Sequence, residues 1–386
     1  MYFKSLIFII SSILLYSSCQ EAGEKVSGGK NYRLVLSDSL LLEADSTTNY
    51  FSFCVNVFKE NGLEKLAYLS ETDNSINIYD IESRKAEKKL ILEREGVNGI
   101  GEGQIMMYYV NADSIIIATG NYTWLVMDIQ GQVKYKLNLY QKHQEKGGLI
   151  FAQGAIEGGS PVLLRGKELW TAVYPYVSSD DLKAMKNYPI IYKINLEDSS
   201  VSVPINLPAD IYTKGVYGVN FIGVSYAYNK AAEELALSYP ADPRVEFYHL
   251  PTGRSRRILA VPSSFGNGEV EPSKAKKMNG MEGFAFFTRV NSYSKIYFDP
   301  YRKLYYRFAE EAVDEARFEV KKFWKYKILM VFNEQMELIQ EIEFPHTSVL
   351  PAMCFVGEKG FYLGSSDTHG SEDIIRFHLY TLQEIK

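Results

Sequence analysis

Leu66 to Leu92, LAYLSETDNSINIYDIESRKAEKKLIL, reads as three short strands parted by two polar turns. Leu66 to Leu69 is an apolar run that Glu71-Thr72-Asp73-Asn74 breaks, because Asp, Asn and Thr side chains bond their own backbone and favour turns. Ile76, Ile78 and Ile81 resume a near-alternating pattern, Asp80 to Arg84 turns again, and Leu90-Ile91-Leu92 closes the unit. The first of these strands has counterparts at Ile115 (IIIAT), Leu169 (LWTAV), Leu235 (LALSY), Leu304 (LYYRF) and Phe361 (FYLGS), at intervals of 49, 54, 66, 69 and 57 residues. A polar turn precedes each counterpart, and a strand with its own turn follows, from SINIYDIES in the first unit to DIIRFHLYTL in the last. Five of the six units then carry a fourth strand, KKLIL, VKYKLNL, VSVPINL, RRILAV and LIQEIEF; the sixth reaches Lys386 without one.

Four antiparallel strands repeated six times, with no competing helical period, is the pattern of an all-β, six-bladed β-propeller. The strand missing from the sixth blade has a donor in Tyr32 to Glu43, YRLVLSDSLLLE. Pairing it there would close the ring and remove two open sheet edges. A pair of β-sandwiches is the alternative that the uneven intervals favour, and the constant order of strands and turns argues against it.

The composition suits such a fold: 386 residues, 46% hydrophobic and 14% aromatic, with 29 Tyr and 21 Phe, enough to bury a large core of strand formers. A net charge of −5 without a concentrated basic surface argues against nucleic acid as a partner. At the N-terminus, Lys4, the apolar run Leu6 to Leu15 and the ending Ser17-Ser18-Cys19 read as a bacterial lipoprotein signal peptide over residues 1–18. Cys19 would then be the lipidated first residue of the mature chain, although Tyr16 stands where such signals usually carry an aliphatic residue. An ordinary signal peptide or an N-terminal membrane helix is the alternative. Residues 19–31 are polar and Gly-containing and read as a flexible tether to a propeller over residues 32–386. The expected address is the bacterial cell envelope, on the outer membrane, held through Cys19. Cys54 and Cys354 lie in apolar surroundings as buried free thiols, with a bridge between the first and last blades as the alternative.

With this N-terminus, the phrases YFDPYRKLYYRF (297–308), MVFNEQMELIQE (330–341) and FYLGSSD (361–367) resemble the six-bladed, TolB-like propeller lipoproteins of Bacteroidota. The resemblance covers nearly the whole mature chain and implies the fold. Its motifs are structural, so it implies no reaction and no catalytic residue.

Function has to sit on the long connectors: Glu93 to Gln104, Tyr140 to Pro161, Pro208 to Gly223 and Pro262 to Ser294, with Tyr174 to Tyr188 and Ala309 to Lys322 inside blades three and five. All belong to one end of the propeller axis. Tyr174, Tyr176, Tyr217, Phe265, Arg289 and Tyr293 are the candidate ligand contacts there, each with inter-blade packing as the competing role. EGVNGIGEG (95–103) lacks a final glycine for a dinucleotide frame and leads into a strand, so it reads as a turn. His143, His249, His346, His369 and His378 form no metal-spaced set, and the oxygen-rich run Asp367 to Asp373 lacks a calcium-loop frame. Asp180-Asp181 and Glu233-Glu234 read as exposed turn charges. No nucleophile elbow is present.

These features point to a membrane-anchored, non-enzymatic lipoprotein that binds an envelope protein or a glycan through its long-loop face, with no cofactor or metal. The alternative is a hydrolase or lyase with a divalent metal at the axial mouth, for which Asn98, Glu102, Glu157, Asn220 and Glu282 occupy suitable loops.

Overall fold

The computed structural model describes residues 32–141, 152–344, 349–367 and 372–384. The signal peptide, Cys19 and the tether lie outside the described residues, as do His143, His346 and His369. Arg33–Gln383 is one compact unit.

Six separate antiparallel sheets make up this unit, five of them built from consecutive strands. The first blade runs Val55–Glu60, Leu63–Ser70, Ser75–Asp80 and Lys85–Ile91. The second runs Ile105–Asn111, Ser114–Thr119, Thr123–Met127 and Val133–Asn138. The fourth and fifth open at Ser225–Asn229 and Ser292–Asp299 and end at Arg254–Leu259 and Leu338–Phe344. In the third blade the inner position is split between Ala152–Gly154 and Leu163–Arg165, both paired to Glu168–Pro175.

The sixth blade closes as the repeat requires. Its own strands are Val349–Val356, Phe361–Ser365 and Ile374–Glu384, and Tyr32–Glu43 adds the outer fourth. Leu34, Leu40 and Leu42 bury their side chains in the core, each worth about 1.5–3 kcal/mol of apolar burial. Ala44 N donates to Asp373 O at one end of this pairing, while Arg33 and Gln383 fall at the other. That second end carries the tight turns.

The tight turns share one device. Asp80, Asp128, Asn195, Asn229, Asp299 and Asn333 each end a strand and accept a hydrogen bond from a backbone N–H two or three residues on. Each such turn closes through a residue with positive φ, among them Arg84, Gly131, Glu233 and Lys303. The Asn61-Gly62 hairpin, with φ of 52° and 81°, is the two-residue turn whose twist matches its strands.

Two features depart from the sequence reading. The connector before the fifth blade contains a ten-residue helix, Gly280–Arg289, started by a reciprocal capping box between Asn279 and Glu282. The other departure is at the axis, where residues 155–162, between the two halves of the third blade's inner strand, cross the central channel. Gly158 N donates to Phe53 O, Tyr226 N donates to Gly159 O at 2.8 Å, and Ser160 Oγ donates to Val224 O at 3.2 Å. A Cβ at position 158 would lie 1.8 Å from the Ala352 carbonyl oxygen of the sixth blade, so only glycine fits this crossing.

Candidate functional site

The crossing segment divides the axis into two recesses. The recess on the loop face, about 230 Å³, is lined by Phe53, Glu71, Gln104, Gln153, Glu157 and Tyr174 among others. Glu157 is ion-paired with Lys295 of the fifth blade, both side chains being largely buried. The Tyr174 hydroxyl sits by this carboxylate, and burial followed by the Glu157 charge pushes its pKa far above the usual phenol value. A carboxylate already neutralised by lysine has little left to offer a divalent cation.

Tyr174 also forms one wall of a second, larger depression of about 760 Å³. One side of this groove is the insertion after Tyr174 in the third blade; the other is Val219 to Gly223, with Met278. The insertion is shaped by a short helical turn, Leu182–Met185, whose N-cap Asp181 accepts from Lys183 N and Ala184 N. Gly223 lets the two sides meet, since a Cβ there would stand 3.3 Å from the Tyr174 ring. Tyr176 rises from the rim with 79% of its surface exposed. Asp180, also in the lining, has its Oδ1 buried with no hydrogen-bond partner among the described residues. The groove therefore offers flat aromatic surface beside a few polar groups, the usual make-up of a recognition site.

The six candidate contacts separate by burial. Tyr174 and Tyr176 belong to the groove. Tyr217, Phe265 and Tyr293 do not, and the expectation that they present a ligand surface is corrected. Tyr217 donates to Val270 O at 3.2 Å, Tyr293 donates to Gly268 O at 3.0 Å, and all three rings are more than nine-tenths buried. They hold the long connectors against blades four and five. Arg289 is exposed but committed, pairing with Glu315 at 2.8 Å and stacking 4.0 Å above Phe318.

The metal alternative finds no support among the described residues, where no group of three or more His, Cys, Asp or Glu could hold an ion. Asn98 Oδ1 accepts from Val133 N, Glu282 caps its helix, Asn220 lies in the groove and Glu157 faces Lys295. Glu102 belongs to the glycine-rich loop, whose Gly96, Gly101 and Gly103 have positive φ and whose carbonyls at 101 and 103 accept from Arg94. That loop is a closed turn. Cys54 and Cys354 are both free and buried, so the bridge between blades is ruled out. His249 Nδ1 meets Thr252 Oγ1 at 2.8 Å and His378 Nδ1 meets Ser39 Oγ at 3.3 Å, both structural contacts.

Sequence reasoning missed Lys295 and the crossing of the axis. The only signal for either was Glu157-Gly158-Gly159-Ser160, small residues in a long connector.

Residues 31–343 match a family model described as a domain of unknown function, DUF4221. No curated protein matches the sequence. The fold is similar to that of a member of this family from Bacteroides vulgatus, at 21% identity and a TM-score of 0.77, over 92% of this chain and 99% of that one. It is also similar to a protein described as exported from Bacteroides fragilis, at 10% identity and a TM-score of 0.51, over 92% and 96% of the two chains.

Proposed function

The chain belongs to the DUF4221 family, and on that premise we propose that it is a lipid-anchored envelope protein, without catalysis, that binds a partner protein or a glycan in the groove on its loop face. The observation that carries the reading is Tyr176, a large ring left 79% exposed at the rim of a groove of about 760 Å³. An exposed ring at a concave site covers apolar area on a ligand while its hydroxyl bonds outward.

Arg33, the first residue of the compact unit, lies at the tight-turn end of its strand, so an anchor at Cys19 would attach at the end opposite the loop face and leave the groove unobstructed.

The test is the soluble chain from Gln20 onward, which keeps the whole compact unit Arg33–Gln383, applied to a glycan array and to solubilised envelope proteins. A saturable ligand at micromolar concentration is expected. A folded chain that retains nothing from either source overturns the reading.

A further inference from the structure

On the opposite side of the crossing segment the axis opens to the tight-turn face as a cup of about 300 Å³, to which all six blades contribute. Its floor is the segment itself, Glu157 to Pro161. Its walls include Val57, Tyr108, Tyr228 and Phe298, with Tyr301 at the rim.

Three observations define what the cup would take. Size comes first: a dry apolar cavity of roughly 150 Å³ holds one benzene ring, so about twice that volume suits one or two fused rings. Charge is the second. Glu157 in the floor pairs with Lys295, Lys59 at the rim pairs with Glu358, Arg302 pairs with Asp299, and Glu64 accepts from Tyr301 and from Glu358 N. Each of these three cations is held by a carboxylate, so none of them is left over for an anionic ligand. Third, the hydroxyls of Tyr108 and Tyr228 have no hydrogen-bond partner among the described residues, and both side chains are only partly buried. A phenol hydroxyl left free at the wall of an aromatic cavity is a donor awaiting an acceptor.

We infer that the axial cup is a second binding site, separate from the loop-face groove, for a small neutral flat-ring compound carrying a hydrogen-bond acceptor. The apolar rings enclose its faces, and the free phenols donate to its acceptor.

Coumarin, a neutral bicycle with two acceptor oxygens, is a suitable probe. Saturation-transfer NMR and calorimetry on the chain from Gln20 onward should report one saturable site. Val57→Trp, which fills the cup from an inner strand, should abolish binding; Tyr108→Phe, which removes one donor and leaves the ring, should weaken it about fivefold. Tyr176→Ala, on the other face, should leave it unchanged. The inference is overturned if the folded wild-type chain shows no saturable binding, if Tyr108→Phe binds as tightly as wild type, or if Tyr176→Ala abolishes binding. None of these outcomes bears on the groove, whose test uses different ligands.

Discussion

Arg307 is the residue on which the fourth and fifth blades most visibly depend. Its guanidinium is fully buried, yet it donates to Ser238 Oγ and to the carbonyls of Asp242, Pro243, Arg244 and Ala260, and lies 4.0 Å from the Tyr293 ring. A buried charge is tolerated when every donor is met, and removing it leaves its acceptors without partners. Arg307→Met should therefore cost about 3–5 kcal/mol in urea unfolding. A loss under 1 kcal/mol would mean that the five bonds contribute little net stability.

Lys325 makes the stability of the fold depend on pH. Its ammonium is buried at the base of the helix Gly280–Arg289, donating to Ser292 Oγ at 2.6 Å and to Phe287 O at 3.2 Å. Burial lowers its pKa to about 8. Between pH 8 and the ordinary lysine range near 10.4 the unfolded chain binds one more proton than the folded chain, so stability rises with pH across that window. Lowering the pH through 8 charges the folded lysine too, and the gain is gone. Comparing wild type with Lys325→Met isolates the effect. The variant should lose an upward slope that totals roughly 2–3 kcal/mol from pH 8 to 10; parallel profiles would contradict the assignment.

At the scale of elements, the closing strand Tyr32–Glu43 separates a ring from an open stack of sheets. Leu42 is fully buried and packs with Leu40, Tyr79 and Phe377 across the seam. Leu42→Ala should cost about 2–5 kcal/mol, as for other buried leucines. A chain starting at Ala44 should associate through the exposed edge of Ile374–Glu384, visible as oligomers in light scattering; a stable monomer would show that the seam is dispensable.

The elements also show what the sequence can and cannot convey. The order of strands was legible because Asn, Asp and Gly turns fall between apolar runs in every unit, and because only one unit lacked its fourth strand. The helix Gly280–Arg289 was missed although Asn279 and Glu282 spell a capping box, since a long connector between strands gives no frame for a 3.6-residue period. The crossing of the axis was illegible for a different reason. It depends on Gly158 meeting Ala352 and on Glu157 meeting Lys295, contacts more than a hundred residues apart in the chain. Tyr217, Phe265 and Tyr293 looked like surface aromatics because they sit in or beside long connectors; those connectors fold down, and their rings are what hold them there. Tyr174 and Tyr176 line the groove because the insertion that carries them stands on the loop face.

For the whole molecule, the six blades leave two faces of different character. Asx turns and short hairpins pave one face, with both ends of the closing pair at its margin and an aromatic cup at its centre. Long connectors rise from the other, and between blades three and four they leave a groove. The crossing segment lies between the two recesses, with Glu157 lining both.

The proposal that the loop face is the working surface is tested most directly by comparing the two faces. The wild-type chain, Tyr176→Ala from the loop face and Tyr301→Ala from the tight-turn face are passed over the same glycan and envelope-protein arrays. The ligand kept by the wild type should be kept by Tyr301→Ala and weakened at least tenfold by Tyr176→Ala. Retention by Tyr176→Ala with loss in Tyr301→Ala would contradict the proposal.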